Sequence, residues 1–202
     1  MKMNHLAVTL AAGMLAASAG FLTSTPSVSA APAPANTPAA GRQVSTSPPP
    51  LSPAAGSVLR SGGRHICYVA HVQNIGWQSW VCDGAEAGTT GMSLRMEALA
   101  IATSPAAGPV CADAHVQNIG WQGWQCARRP LRVVTVGTTG ESLRMEALSL
   151  MLPSGDGTSA STVCATAHVQ NIGWMGQVCG PAVTVGTTGQ SLRMEAVEIT
   201  AP

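Results

Sequence analysis

Two cysteines and a histidine recur together three times, as Cys67, His71 and Cys82, then Cys111, His115 and Cys126, then Cys164, His168 and Cys179. Three chemistries use such a set. A thiolate beside an imidazole can be a nucleophile with its base, but it also needs an oxyanion donor, and no distinctive motif supplies one. Three copies of one catalytic centre in a single small domain would also be unusual, so no catalytic residue is assigned and the chain is not read as an enzyme. Zinc is the second chemistry. Neither Cys-x3-His nor a lone distant cysteine is a standard zinc spacing, and neither a metal nor a cofactor is expected. The third is the disulfide, which is the default for paired cysteines in an exported chain. Two connectivities respect the repeat. The fifteen-residue spacing puts the midpoint of Cys67 and Cys82 at Asn74-Ile75, where a turn is suspected, and this favours Cys67–Cys82, Cys111–Cys126 and Cys164–Cys179. Each such loop contributes about 3 kcal/mol in the chain-entropy picture.

The other repeated polar side chains are Gln73, Asn74, Arg95 and Glu97 with their equivalents. Arg95 and Glu97 read as a partly buried ion pair, and His71 as a structural histidine. Gln73, Asn74, Gln117, Asn118, Gln170 and Asn171 carry the paired donors and acceptors that sugar hydroxyls need. Nearly all aromatic area sits at Trp77, Trp80, Trp121, Trp124 and Trp174. Trp77, Trp121 and Trp174 are open to two readings, as a core converging on a threefold axis or as binding surface. Trp80 and Trp124 are expected to be exposed, because the third unit has Gln177 in their place and a symmetric core would resist that change. The third unit is accordingly expected to bind more weakly than the other two. Tryptophan faces stack on sugar rings, which makes a polysaccharide the expected ligand, with a cell-surface protein held by tryptophan anchors as the alternative.

These residues sit in elements that repeat. "AHVQNIGWQ" spans Ala70 to Gln78 and again Ala114 to Gln122, and a third copy begins at Ala167. Each copy is followed by Gly-Thr-Thr-Gly-x-Ser-Leu-Arg-Met-Glu-Ala, and the segments between the two blocks differ in length and letters. Both blocks alternate with a period near two, which predicts strands, with Leu94, Met96 and Ala98 on one face against Arg95, Glu97 and Leu99 on the other. The Gly-Thr-Thr-Gly stretches and Asn74-Ile75-Gly76 read as turns. Three units, about 64–103, 108–152 and 161–201, make a domain of roughly 140 residues within 58–202. The expectation is an all-β fold with pseudo-threefold symmetry, β-trefoil-like or β-prism-like. Upstream, Lys2, the apolar run Leu6 to Leu22 and Val28-Ser29-Ala30 read as a secretory signal over residues 1–30. Residues 31–57, rich in Ala, Pro, Ser and Thr, read as a mobile spacer. Loss of Lys2 with the signal leaves nine arginines against nine acids. A neutral chain lacks the basic field that dominates nucleic-acid affinity, so neither nucleic acid nor membrane is an expected partner, and the protein is expected outside the cell, with its oligomeric state open.

The blocks "HVQNIGWQ" and "GTTGxSLRMEAL" closely resemble the clostridial hydrophobic repeat with its Gly-Trp hallmark, ChW, and three copies cover essentially the whole folded region. The hallmark falls on Gly76-Trp77, Gly120-Trp121 and Gly173-Trp174, and the family's Gly-Thr-x-Gly turn on Gly88, Gly137 and Gly186 and the residues after them. The resemblance implies a secreted or cell-surface bacterial module, used in tandem, with proposed roles in polysaccharide or protein binding. The six cysteines are a departure from the typical pattern.

Overall fold

In the computed structural model, which describes residues 45–154 and 160–202, each repeat folds as the same run of five strands. The first repeat contains β1 (Ile66–Val72), β2 (Gly76–Trp77), β3 (Val81–Cys82), β4 (Ala87–Gly88) and β5 (Met96–Thr103). The second contains β6 (Cys111–Val116), β7 (Gly120–Trp121), β8 (Gln125–Cys126), β9 (Val134–Gly137) and β10 (Met145–Pro153). After the short β11 (Ala160–Ser161), the third contains β12 (Val163–Val169), β13 (Gly173–Trp174), β14 (Val178–Gly180), β15 (Ala182–Gly186) and β16 (Met194–Thr200). The expected export signal and the first part of the expected spacer, residues 31–44, lie outside the described residues.

Within a repeat the opening strand pairs with the closing strand, β1 with β5, and on its other edge with the two short strands that follow the Asn74 hairpin. The hairpin register sets Cys67 directly opposite Cys82, Cys111 opposite Cys126 and Cys164 opposite Cys179, and all three pairs are bonded. Those six thiols are therefore not zinc ligands. Between repeats the closing strands are shared: β5 pairs with β9, β10 with β15, and β16 with β4. Each repeat thus lends a strand to the one before it, and the first lends to the third, closing the ring. Three separate antiparallel sheets surround one shared apolar core, the arrangement of a prism rather than of a trefoil barrel.

Alternation explains the core. Ile66, Tyr68, Ala70 and Val72 of β1 join it, as do Ala112, Ala114 and Val116 of β6 and Ala165, Ala167 and Val169 of β12. Tyr68 stands where the other repeats have Ala112 and Ala165. Its hydroxyl donates to the Ala85 carbonyl at 2.5 Å and accepts from the Ile199 amide at 2.9 Å, tying the first repeat to the third. The closing strand departs from the expected alternation. Met96, Leu99 and Ile101 are in the core, with Leu94 packed partly against it, so Leu99 lies on the face opposite to the one its spacing predicts. The reason is a β-bulge. Val72 pairs with Met96 and His71 with Ala98, leaving Glu97 without an opposite number, and the same slip occurs at Glu146 and Glu195.

The bulged carbonyl is where the next repeat attaches. Thr138 donates its amide to the Glu97 carbonyl at 2.8 Å, Thr187 to Glu146 at 2.8 Å and Thr89 to Glu195 at 2.9 Å. The glycine before each threonine lies against that same backbone with positive φ: 112° at Gly88, 90° at Gly137 and 94° at Gly186. A Cβ on Gly137 would overlap the Glu97 carbonyl oxygen and sit 2.7 Å from the Ala98 Cα, so only glycine permits the strands to approach.

The described end of the expected spacer is ordered against the first sheet. Ser52 caps α1 (Pro53–Arg60), accepting from the Ala55 amide, and Pro53 sits in the first helical turn, where a missing N–H costs nothing. Ala55 and Leu59 are buried with Cys67 and Ala102, and Leu51, Val58 and Trp80 pack around them. The Trp80 indole N–H is shared between the Pro49 and Pro50 carbonyls at 3.2 and 3.1 Å. Trp80 is therefore half-buried rather than exposed as its spacing suggests. The cause is chemical. The outer face of the first sheet carries Cys67 and Ala102, an apolar surface that the helix removes from water.

Two outcomes are expected from these contacts. Gly137→Ala should destabilise the fold by about 3 kcal/mol or more, through strand separation. Gly140→Ala should cost only about 1 kcal/mol, since Gly140 also has positive φ but nothing lies within 4 Å of its added Cβ. Urea denaturation midpoints read the difference, and equal losses would mean that the seam between repeats admits a methyl group. Trp80→Ala should cost about 2 kcal/mol and expose the segment between Thr46 and Arg60 to proteolysis; an unchanged melting temperature with unchanged cleavage would show that Trp80 does not hold it.

Candidate functional site

The bulge decides what lies on the outer face beside each tryptophan. Because Glu97 is the extra residue, its side chain turns outward alongside His71. Arg95 Nε and Nη2 both donate to Glu97 Oε1, at 3.0 and 2.7 Å. The other carboxylate oxygen lies 3.1 Å from His71 Nδ1. The ring N–H is not aimed at that oxygen, so the contact is an electrostatic one between neighbours rather than a hydrogen bond. His71 in turn stands opposite Trp77 across the hairpin, edge-on to its ring with centroids 5.3 Å apart. Arg144, Glu146, His115 and Trp121 repeat the arrangement, as do Arg193, Glu195, His168 and Trp174, with ring centroids 5.4 Å apart in both. The result is a relay of contacts: a guanidinium orients a carboxylate, the carboxylate faces an imidazole, and the imidazole props an indole.

The relay leaves the Gly-Trp indoles at the surface. Trp121 is 42% exposed and Trp174 40% exposed, while Trp77 is half-buried. None of the three lies in the core, which is filled by Met96, Met145, Met194, Tyr68 and aliphatic side chains instead. Trp124 is exposed at 47%. The glutamine after the hallmark serves the scaffold. Gln78 Nε2 donates to the Gly88 carbonyl and Gln78 Oε1 accepts the Gly88 amide, both at 2.8 Å. Gln122 clips Gly137 in the same way, and Met175 in the third repeat packs against the core instead.

Asn74, Asn118 and Asn171 occupy the exposed hairpin tips with φ of 63°, a left-handed conformation that asparagine tolerates better than most residues. Gln73, Gln117 and Gln170 are half-buried beside them, and each backbone amide donates to the arginine carbonyl of its repeat, Arg95, Arg144 or Arg193. The turn thus accounts for Asn74 without a ligand. Next to these tips Ile75, Ile119 and Ile172 are exposed at 40, 50 and 49%. The sequence pattern passes over two side chains beside Trp174, Thr166 and Glu198. Thr166, Trp174, Met175, Gln177 and Glu198 line an open groove of about 420 Å³. The signal for these two is that each differs from its repeat equivalents, Thr166 from Val69 and Asp113 and Glu198 from Ala100 and Ser149.

Among the described residues no cluster of His, Cys, Asp or Glu could hold a metal ion, and no helix is long and apolar enough to cross a membrane. Two histidines bear on pH. Burial lowers the His71 pKa below its ordinary 6.5, and Glu97, already shared with Arg95, offsets only part of that shift. The hydrogen bond to Asp83 raises the His65 pKa. His71 therefore favours its neutral form in the fold, and its contribution to stability is lost as pH falls below about 6.5. His65 acts in the opposite sense, contributing fully below about 6.5 and losing that contribution as pH rises through its folded value. Chemical denaturation between pH 8 and 5 should show a shallower acid-side fall for His71→Gln than for the natural protein, and a steeper one for His65→Gln. Parallel curves for all three proteins would contradict this assignment.

A family model described as Clostridial hydrophobic W matches residues 71–105, 115–153 and 168–200, each match running from the last two residues of an opening strand through the hairpin to the closing strand. No curated protein and no solved structure matches the chain.

Proposed function

The chain belongs to the ChW family, and from that premise we propose that it is an exported, non-catalytic binding module that recognises extracellular or cell-wall polysaccharide through its surface tryptophans. The observation that carries the reading is the placement of Trp121 and Trp174. In a domain whose core is built largely from alanine, valine and leucine, two of the largest apolar side chains stand about two-fifths exposed, each edge-on to a histidine that lies beside an arginine–glutamate ion pair. A rigid, half-exposed indole is a platform for the apolar face of a sugar ring, because it is ordered before the ligand arrives. Trp124 adds a second exposed ring in the second repeat. The three disulfides agree with export, since such bonds persist in oxidising compartments.

A second reading rests on Ile75, Ile119 and Ile172. Sugars make little use of exposed aliphatic tips, whereas a protein partner buries them, so adhesion to a surface protein is the alternative. A glycan array carrying cell-wall and extracellular polysaccharides separates the two. The expected result is a reproducible set of sugar hits that Trp121→Ala and Trp174→Ala each weaken roughly tenfold, with melting temperatures within a few degrees of the natural protein. Silence on the array together with capture of a surface protein that an Ile119→Asp change abolishes would favour the alternative.

A further inference from the structure

The three sheets present equivalent outer faces, and the chain treats each differently at one cross-strand pair. In the first repeat the pair is Val69 and Ala100, both apolar and fully buried. In the second it is Asp113 and Ser149. Asp113 Oδ1 accepts the Gly123 amide at 3.0 Å and Ser149 Oγ bonds Thr184 Oγ1 at 2.8 Å, so both polar groups are engaged within the fold. In the third it is Thr166 and Glu198, and here the face opens into the groove that Trp174, Met175 and Gln177 complete. Thr166 Oγ1 donates to the Met175 carbonyl at 2.6 Å, which fixes the residue next to Trp174 against the strand that faces Glu198. The indole, the hydroxyl and the carboxylate are therefore held along one groove.

Glu198 differs both from the three glutamates of the bulges and from Asp113, whose carboxylate accepts the Gly123 amide. Glu97, Glu146 and Glu195 are each paired with an arginine, whereas Glu198 has no cationic partner among the described residues. Thr166 and Gln177 are neutral, so Glu198 is the one formal charge in the groove lining. An indole face is also the negative side of the ring quadrupole and attracts a cation. Carboxylate and ring act in the same sense, and a neutral ring hydroxyl would use only part of what they offer.

We propose that the third repeat carries a subsite for an amine-bearing sugar, with Trp174 as the platform under the ring, Glu198 as the counter-ion of its ammonium group, and Thr166 and Gln177 beside its hydroxyls. The proposal rests on the polysaccharide reading and specifies the class of sugar. It gives the third repeat a role that counting tryptophans does not predict, since Gln177 replaces the second aromatic ring there.

The test compares two probes on the full disulfide-bonded chain by calorimetry: a β-1,4-linked glucosamine tetramer and its fully N-acetylated counterpart, in which the amine is blocked. The free-amine tetramer should bind at least about fivefold more tightly at pH 6, and added salt should erode the preference. Glu198→Gln should bring the two affinities within about twofold, and Trp174→Ala should weaken both. Asp113→Asn, in the second repeat, should leave the preference intact. Equal affinity for the two tetramers in the natural protein, a preference that survives Glu198→Gln, or competition by oligolysine as effective as that of the glucosamine tetramer would each overturn the proposal. If neutral glycans bind and the glucosamine tetramer shows no advantage, the subsite falls and the polysaccharide reading stands. If no glycan binds at all, both fall.

Discussion

One bulged glutamate per repeat is the point on which the other contacts converge. Its backbone carbonyl accepts the amide of the Gly-Thr turn in the neighbouring repeat, and its carboxylate takes two hydrogen bonds from an arginine two residues earlier. Both oxygens of that carboxylate are nearly removed from water, with about 7% of the side chain exposed, which is tolerable only because the charge is matched by a guanidinium. The bulge also resets the alternation of the closing strand, sending Leu99 and Ile101 to the core instead of the surface. Packing inside, attachment between repeats and orientation of the surface tryptophan are thereby coupled through one residue.

The strand exchange makes the symmetry a requirement rather than an ornament. A repeat on its own would lack the outer neighbour of its closing strand and would expose an unpaired edge, a template for wrong association. Closure through β16 and β4 removes that edge from all three repeats, and the disulfides clamp the hairpins that the exchange leaves peripheral. Tyr68 breaks the threefold pattern inside the core, where one ring and two alanine methyls fill equivalent positions and its hydroxyl bridges the first and third repeats.

Outside the core the repeats diverge. The first sheet's outer face is apolar and is covered by the segment that ends in α1. The second satisfies its own polar groups, and the third leaves a groove open beside an indole. Trp80 and Trp124 occupy equivalent positions, yet one donates to the Pro49 and Pro50 carbonyls and the other faces solvent. The same residue is thus an internal clasp in one repeat and available surface in the next. A scaffold closed by backbone contacts can accept such changes on its outer faces without disturbing its seams.

What could be read from the amino acids alone was whatever depends on near neighbours. The fifteen-residue cysteine spacing about a turn led to the within-repeat disulfides, the alternation led to strands, and the two blocks recurring three times led to an all-β fold of three repeats in the ChW family. The glycines of the Gly-Thr-Thr-Gly turns were legible as turns, although their second role, admitting a neighbouring strand, was not. Tertiary structure decided whatever depends on which distant segment arrives. The phase of the closing strand depends on a bulge that exists only when Val72 and His71 pair across it. The burial of Trp80 depends on prolines thirty residues upstream coming to rest on an apolar sheet face. The exposure of Trp121 and Trp174 depends on a core already filled by methionine and aliphatic side chains from all three repeats. A local pattern records the period of a strand and the chirality of a turn, whereas burial is a property of the whole packed surface, and that surface is defined only once the ring has closed.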